Sequence, residues 1–168
     1  MKKIKNIIVL YPSFERGGAT ANLINFVNAC DKKKIKIYLI TNIAGKDQKK
    51  FFNKNVKIIK IDDRSNIDYF RRFFTSIYSS LILIKIFKNI ETKNSLVFSF
   101  QSHILPILIS KISGRKIILR NSEDIIGATK YADNKFTAYL VFFLKLLFYN
   151  FSDGIITNSS KSKESLDK

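Results

Sequence analysis

Tryptophan is absent from this 168-residue chain, and cysteine and histidine occur once each. The single cysteine, Cys30, excludes an internal disulfide and favours a reducing, cytoplasmic setting. It falls on the apolar side of a predicted helix and reads as a small core residue. One histidine and one cysteine leave too few ligands for a zinc centre, so no metal site is expected. With two prolines, six glycines and 46% hydrophobic residues, the chain is neither linker-like nor disordered, and it is long enough for one domain with its own core. Long hydrophobic runs are also missing. The longest, "FTAYLVFFLKLLFYNF" from Phe136 to Phe151, is short for a membrane span and contains Lys145. The N-terminal "MKKIKNIIVLYP" has basic and apolar residues but no small-residue cleavage site, so no secretory signal is expected.

Acidic residues are scarce: 13 Asp+Glu stand against 30 Lys+Arg, a formal charge of +17. Such a surface favours anionic partners, whether phosphorylated small molecules, lipid headgroups or nucleic acid. The abundance of Lys, Ile, Asn and Phe is also what an AT-rich genome produces without selection for binding. The lysines are scattered, and the one tight run, Lys32-Lys33-Lys34, falls in a predicted turn.

What is present is an alternation. Apolar runs within Ile4–Tyr11, Ile35–Thr41, Val56–Ile61, Ser95–Phe100, Arg115–Arg120 and Gly154–Ser159 predict six strands. The third alternates and so belongs near an edge. Between them lie helical patterns: Leu23, Phe26, Val27 and Cys30 at i, i+3, i+4, i+7, then Asn66–Glu91, then "SHILPILISKIS" with Pro106 in its first turn, then Phe136–Phe151. The last is apolar nearly all round and is expected to be buried, against the sheet, a second domain or a membrane. Strand-helix alternation of this kind implies an α/β fold, a doubly wound, Rossmann-like parallel sheet of about six strands with helices on both faces.

Ligands of such sheets bind outside the carboxyl ends of the strands. Gly17 and Gly18 follow the first strand and open the first helix, where free N–H groups and a partial positive charge suit a phosphate and a missing Cβ lets it approach. The pair serves equally as a plain turn. Neither G-x-G-x-x-G, G-x-x-x-x-G-K-[ST] nor G-x-S-x-G occurs, which removes support from dinucleotide, Walker-type and nucleophile-elbow readings. His103 follows the fourth strand and could act as a base, hold a sugar hydroxyl or simply begin a helix. Arg120 ends an otherwise apolar strand, so its charge must emerge at the ligand-binding edge, toward an anion or toward Glu123 or Asp124. Asn158, Ser159 and Ser160 read as helix caps.

Taken in order, "FERGGATANLINFVNAC", "VFSFQSHILPILISKISGRKIILRNSED" and "NFSDGIITNSSKSKESL" resemble the start, middle and end of the N-terminal domain of a family 4 (group 1) glycosyltransferase of GT-B fold. The resemblance spans nearly the whole chain. It implies that residues 1–168 form the acceptor-side, Rossmann-like half of a two-domain, hexosyltransferase-like enzyme, with the C-terminal donor-binding domain absent and the chain inactive alone. It implies a nucleotide-sugar donor as substrate and no cofactor. It further implies a glycan or lipid-linked acceptor in polysaccharide or lipopolysaccharide synthesis, at the inner face of the cytoplasmic membrane. By position, Gly17, Gly18, His103, Arg120 and Asn121 would line the donor and substrate side of the cleft; no catalytic residue is assigned. Thr20 stands where that family commonly has a Glu after Gly-Gly-Ala, so a carboxylate role there is not carried over. The alternative class is a non-enzymatic basic α/β module on anionic membrane or nucleic acid. Nucleic acid is not the expected partner, because the strands show no aromatic-basic interleaving. A receiver- or flavodoxin-like domain would need an early acidic pair or a phosphate loop that is missing.

Overall fold

A computed structural model describes residues 4–14, 17–42, 49–61, 68–100, 103–121, 130, 134–158, 160 and 163, the side chains of 68–73 excepted. Six strands, β1 (Asn6–Tyr11), β2 (Lys36–Thr41), β3 (Lys57–Lys60), β4 (Ser95–Ser99), β5 (Lys116–Asn121) and β6 (Gly154–Thr157), form one sheet in the order β3-β2-β1-β4-β5-β6. Every neighbouring pair is parallel, as the buried apolar runs predict. β3, the alternating run, is an edge strand. Among the described residues four α-helices connect them: α1 (Gly18–Lys32), α2 (Asp68–Asn89), α3 (Ile104–Ile112) and α4 (Lys135–Tyr149). Pro106 does sit in the first turn of α3.

Alternation along the strands divides the core in two. Ile8, Leu10, Val97, Ile117 and Leu119 face α2, α3 and α4, meeting Leu83, Ile86, Ile107 and Tyr149. Ile7, Val9, Tyr11, Ile37, Leu39, Phe98 and Phe100 face the other way, toward Leu23 and Val27 of α1 and toward Phe52 and Val56 before β3. Each such buried aliphatic side chain contributes about 1.5–3 kcal/mol relative to exposure. Phe26 of α1 stacks on Phe98 with ring centroids 4.5 Å apart, which seats α1 across β4 as well as β1. Cys30 is half-buried beside this second core, and its burial pushes the thiol up from its ordinary value.

The amino edge of the sheet is tied by side chains. Arg115, just before β5, donates from Nη1 to Ser95 Oγ (2.6 Å) and from Nη2 to the carbonyls of Phe87 (2.7 Å) and Ile90 (2.6 Å) at the end of α2. Its guanidinium also lies 4.2 Å from the Phe87 ring centroid. Asp153, in the turn before β6, accepts from Ile117 N at 2.9 Å and from Lys111 Nζ at 3.2 Å.

One expectation is corrected. α4 is not buried: of its 15 residues only Tyr149 is, and Phe136 is 81% exposed. Its contacts run down one narrow side, where Phe142, Phe148 and Tyr149 meet the first core. Being apolar all round does not by itself supply a second surface to pack against.

Candidate functional site

The strand order reverses at β1: the chain winds outward through β2 and β3, then crosses back to β4, β5 and β6. The crevice beyond the carboxyl ends of β1 and β4 is where such sheets hold ligands. α1 points its amino terminus there. Gly17 is the residue before its first turn, at φ 154° and ψ 178°, a conformation that side chains disfavour. It carries no capping side chain, and the first helical hydrogen bond runs from Ala21 N to Gly17 O at 3.1 Å. Gly18 needs no unusual conformation, and a Cβ built on it meets nothing within 4 Å. Gly17 is therefore explained by its backbone, whereas among the described residues nothing requires Gly18 to be a glycine.

The same side of the sheet carries an aromatic wall. Tyr11 at the end of β1 meets Phe14 and Phe100 edge-on, with centroids 6.1 and 6.0 Å away. The hydroxyls of Tyr11 and Thr20 are hydrogen-bonded at 2.8 Å, which pins the first turn of α1 to the end of β1. Thr20 thus occupies the position of the resembled glutamate as a buried packing residue. Asn42 closes the wall from β2, accepting from Phe14 N at 2.7 Å.

Arg120 completes it. The residue is 7% exposed, yet among the described residues its guanidinium meets no hydrogen-bond acceptor. Its guanidinium carbon lies 5.2 Å from the centroid of the Phe100 ring. Burial lowers its pKa from the ordinary arginine value, and Tyr11 partly offsets this, so the guanidinium keeps its charge. A mostly buried cation beside the open end of a helix is a strong attractor for phosphate or carboxylate oxygens.

The sequence-predicted residues do not all meet. Gly17, Gly18 and Arg120 share the α1 side. His103 turns to the other side: its Nδ1 is 2.9 Å from Ser99 Oγ and its ring edge packs on Tyr149. Burial first, then the charge of Lys145, push its pKa down to about 3, against the favourable effect of a hydrogen bond to the Arg120 backbone. His103 is neutral at physiological pH and too weakly basic to take a proton there. It links β4, β5 and α4. Asn121 is buried, two residues beyond Leu119 and on that same helix-covered side. Glu123, Asp124 and Ser159 lie outside the described residues. Tyr11, Phe14 and Phe100 were not anticipated as site residues; the signal was three aromatics near the carboxyl ends of the two switch-point strands. Among the described residues, no group of three His, Cys, Asp or Glu could hold a metal ion.

No protein-family model matches the chain, and no curated protein matches it by sequence. Solved structures do match by fold. Phytolacca americana UGT2, complexed with UDP-2-fluoro-glucose and pterostilbene, superposes over 95% of this chain and 49% of its own, with TM-score 0.63 and 12% identity. Anabaena Alr3699/HepE, in complex with UDP and glucose, does so over 98% of this chain and 40% of its own, with TM-score 0.63 and 13% identity. MurG of Acinetobacter baumannii matches over 91% and 41%, with TM-score 0.53 and 10% identity. At such identities the likeness establishes the fold. The chain spans half or less of the length of these proteins.

Proposed function

We propose that this chain is the acceptor-side half of a GT-B glycosyltransferase, and that the edge formed by Gly17, Gly18 and Arg120 faces the diphosphate of a nucleotide-sugar donor. The observation that carries the reading is Arg120: a mostly buried arginine that ends its strand on the same side of the sheet as the uncapped start of α1. The fold neighbours complexed with UDP or a UDP-sugar support the donor class. In this reading the departing diphosphate gathers negative charge as the sugar leaves. The first-turn N–H groups and Arg120 are already oriented toward it, so they lower the barrier without reorganising. Tyr11 and Thr20 hold the helix start in place, and Gly18 leaves room for the ligand. A second domain, in this chain's continuation or in a separate chain, supplies the remaining donor contacts. Extension of the resemblance gives a glycan or lipid-linked acceptor in cell-envelope polysaccharide synthesis, on the cytoplasmic side of the membrane.

The test is an amide NMR titration of the 168-residue chain with UDP-glucose and with UDP. Binding on the order of millimolar is expected for half a site, with the largest shifts at the Gly17 and Gly18 amides. Gly18→Asp, which places a carboxylate at the helix start, should abolish those shifts and leave the rest of the spectrum intact. Unmoved Gly17 and Gly18 signals at saturating UDP-glucose overturn the assignment.

A further inference from the structure

We infer that the amino edge of the sheet, at the opposite end of the strands from the crevice, binds a linear polyanion that carries phosphate charges along its backbone and no bases. Lysines that are scattered in the sequence meet there. β3, β2 and β5 begin on Lys57, Lys36 and Lys116, Lys5 stands immediately before β1, and Lys93 lies two residues before β4. These five strands are neighbours, in the order β3-β2-β1-β4-β5. Backbone hydrogen bonds hold their starts together: Lys36 N donates to Lys5 O, and Lys5 N to Asn94 O, each at 2.9 Å. With neighbouring strands about 4.8 Å apart, the row is about 19 Å long. All five lysines are exposed, and among the described residues none of them makes an ion pair. The acidic residues described at this edge are already engaged. Asp31 accepts from Asn53 Nδ2 at 3.0 Å, Glu91 from Asn94 Nδ2 at 2.9 Å, and Asp153 from Ile117 N and Lys111 Nζ.

Helix ends account for other lysines nearby. Lys32, Lys88 and Lys111 lie in the last turns of α1, α2 and α3, where a cation offsets the partial negative charge of the helix end. A sheet has only a small net dipole, so the row at the strand starts is not explained this way. Lys34 is a second sign. α1 and α3 end in the same kind of turn: Ile35 N donates to Cys30 O at 3.3 Å, and Arg115 N to Ser110 O at 2.8 Å. The left-handed residue of that turn is Gly114 after α3, at φ 64°, but Lys34 after α1, at φ 59°. A side chain is disfavoured there, and glycine is the usual solution. The fold thus keeps a lysine where glycine would be more stable, two residues before Lys36.

The chemistry of the row selects the occupant. Lysine is a compact point charge without arginine's planar fork, so the row attracts phosphates by charge and spacing. Every member of the row is a lysine. The row itself therefore has no aromatic platform for stacked bases and no apolar anchor for a protein partner. The crevice beside Arg120 lies at the other ends of the strands, so this inference does not rest on the nucleotide-sugar reading.

The probe is fluorescein-labelled long-chain inorganic polyphosphate, its binding to the 168-residue chain read by anisotropy. Affinity should fall with salt with a logarithmic slope of about −3 to −4, roughly 0.7 for each phosphate neutralised along the row. Lys36→Gln, Lys57→Gln and Lys116→Gln together should weaken binding by at least about tenfold and bring the slope down by about 2. Lys60→Gln, Lys135→Gln and Lys163→Gln remove the same charge from exposed positions away from the amino edge and should leave binding as in the parent. Lys34→Gly should weaken binding severalfold while raising the urea midpoint. Far-UV circular dichroism should be unchanged throughout, since the substituted lysines are exposed. Equal loss in the two triple variants reduces the effect to net charge and overturns the proposal. Binding untouched by the amino-edge triple substitution, or by Lys34→Gly, overturns it as well. Tighter binding to oligothymidylate, or to vesicles containing phosphatidylglycerol, that the amino-edge substitutions remove assigns the row to nucleic acid or to a lipid surface and overturns the base-free polymer. The amide shifts at Gly17 and Gly18 are a separate readout, so failure here and failure of the donor assignment are distinguishable.

Discussion

The two ends of β5 carry one arginine each, and the two are buried to nearly the same degree, 4% exposed for Arg115 and 7% for Arg120. Both stack on a phenylalanine, and burial lowers both pKa values. Their partners differ. Arg115 donates to two carbonyls at the end of α2 and to Ser95 Oγ, so its charge also meets the negative end of a helix. Arg120 has an aromatic wall and an open helix start, but no acceptor among the described residues. Burial of a cation is costly in either place. At the amino edge three hydrogen bonds within the fold offset much of it, although Arg115 Nε is buried without a partner. At the carboxyl edge no Arg120 atom is both buried and without a partner, so the group faces the open end of the sheet, and this distinguishes a structural arginine from one poised for a ligand.

The largest effect should come from breaking the satisfied end. Arg115→Met removes three hydrogen bonds from a charged donor and strands buried acceptors, so unfolding stability should fall by about 3–5 kcal/mol. In urea the midpoint should drop with an unchanged slope. Arg115→Lys should recover only part of the loss, because a single ammonium cannot reproduce the planar fork that reaches three acceptors. A stability equal to the parent in both variants would erase the contrast between the ends.

A second effect sharpens the carboxyl side. His103 is hydrogen-bonded to the Arg120 backbone and takes up a proton only near pH 3 when folded, against a usual histidine value of about 6.5 when unfolded. Between these values the unfolded chain binds more protons than the folded one. Stability should therefore fall as pH drops from about 6.5 toward 3, by at most about 1.4 kcal/mol per pH unit from this group. His103→Gln should flatten that part of the profile measured by urea titration across pH. A slope that survives the substitution would place its origin in the carboxylates instead.

Much of this was legible in the sequence. Apolar runs marked all six strands to within two residues, because burial on both faces leaves no room for polar interruption. The alternating run marked the edge strand. Arg120 stood out because it ends an apolar run, and a charge there must reach the strand's ligand-binding end. Arg115, one run-length earlier, gave no such sign. Two of its three acceptors are backbone carbonyls 25 and 28 positions away, and a carbonyl has no side-chain signature. The position of His103 was legible, but its inward turn toward Ser99 and Tyr149 depends on where α4 crosses. The exposure of α4 was hidden for the opposite reason. Its composition promised burial, but composition does not say whether the covering surface belongs to the same fold.

The smallest expected effect on stability is the most discriminating. Arg120→Met keeps the contact with Phe100 while removing a mostly buried charge that has no acceptor to lose among the described residues. The desolvation penalty disappears with the charge, so folding stability should stay within about 1 kcal/mol of the parent or rise. If the substitution destabilises as much as Arg115→Met, Arg120 has a partner within the fold and the two ends of β5 are alike. If stability holds while the UDP-glucose shifts at Gly17 and Gly18 fall by tenfold or more in affinity, the charge is held for the ligand. The amide titration and the urea curve on one sample separate these outcomes, because a structural arginine moves the second and a ligand-binding one moves only the first.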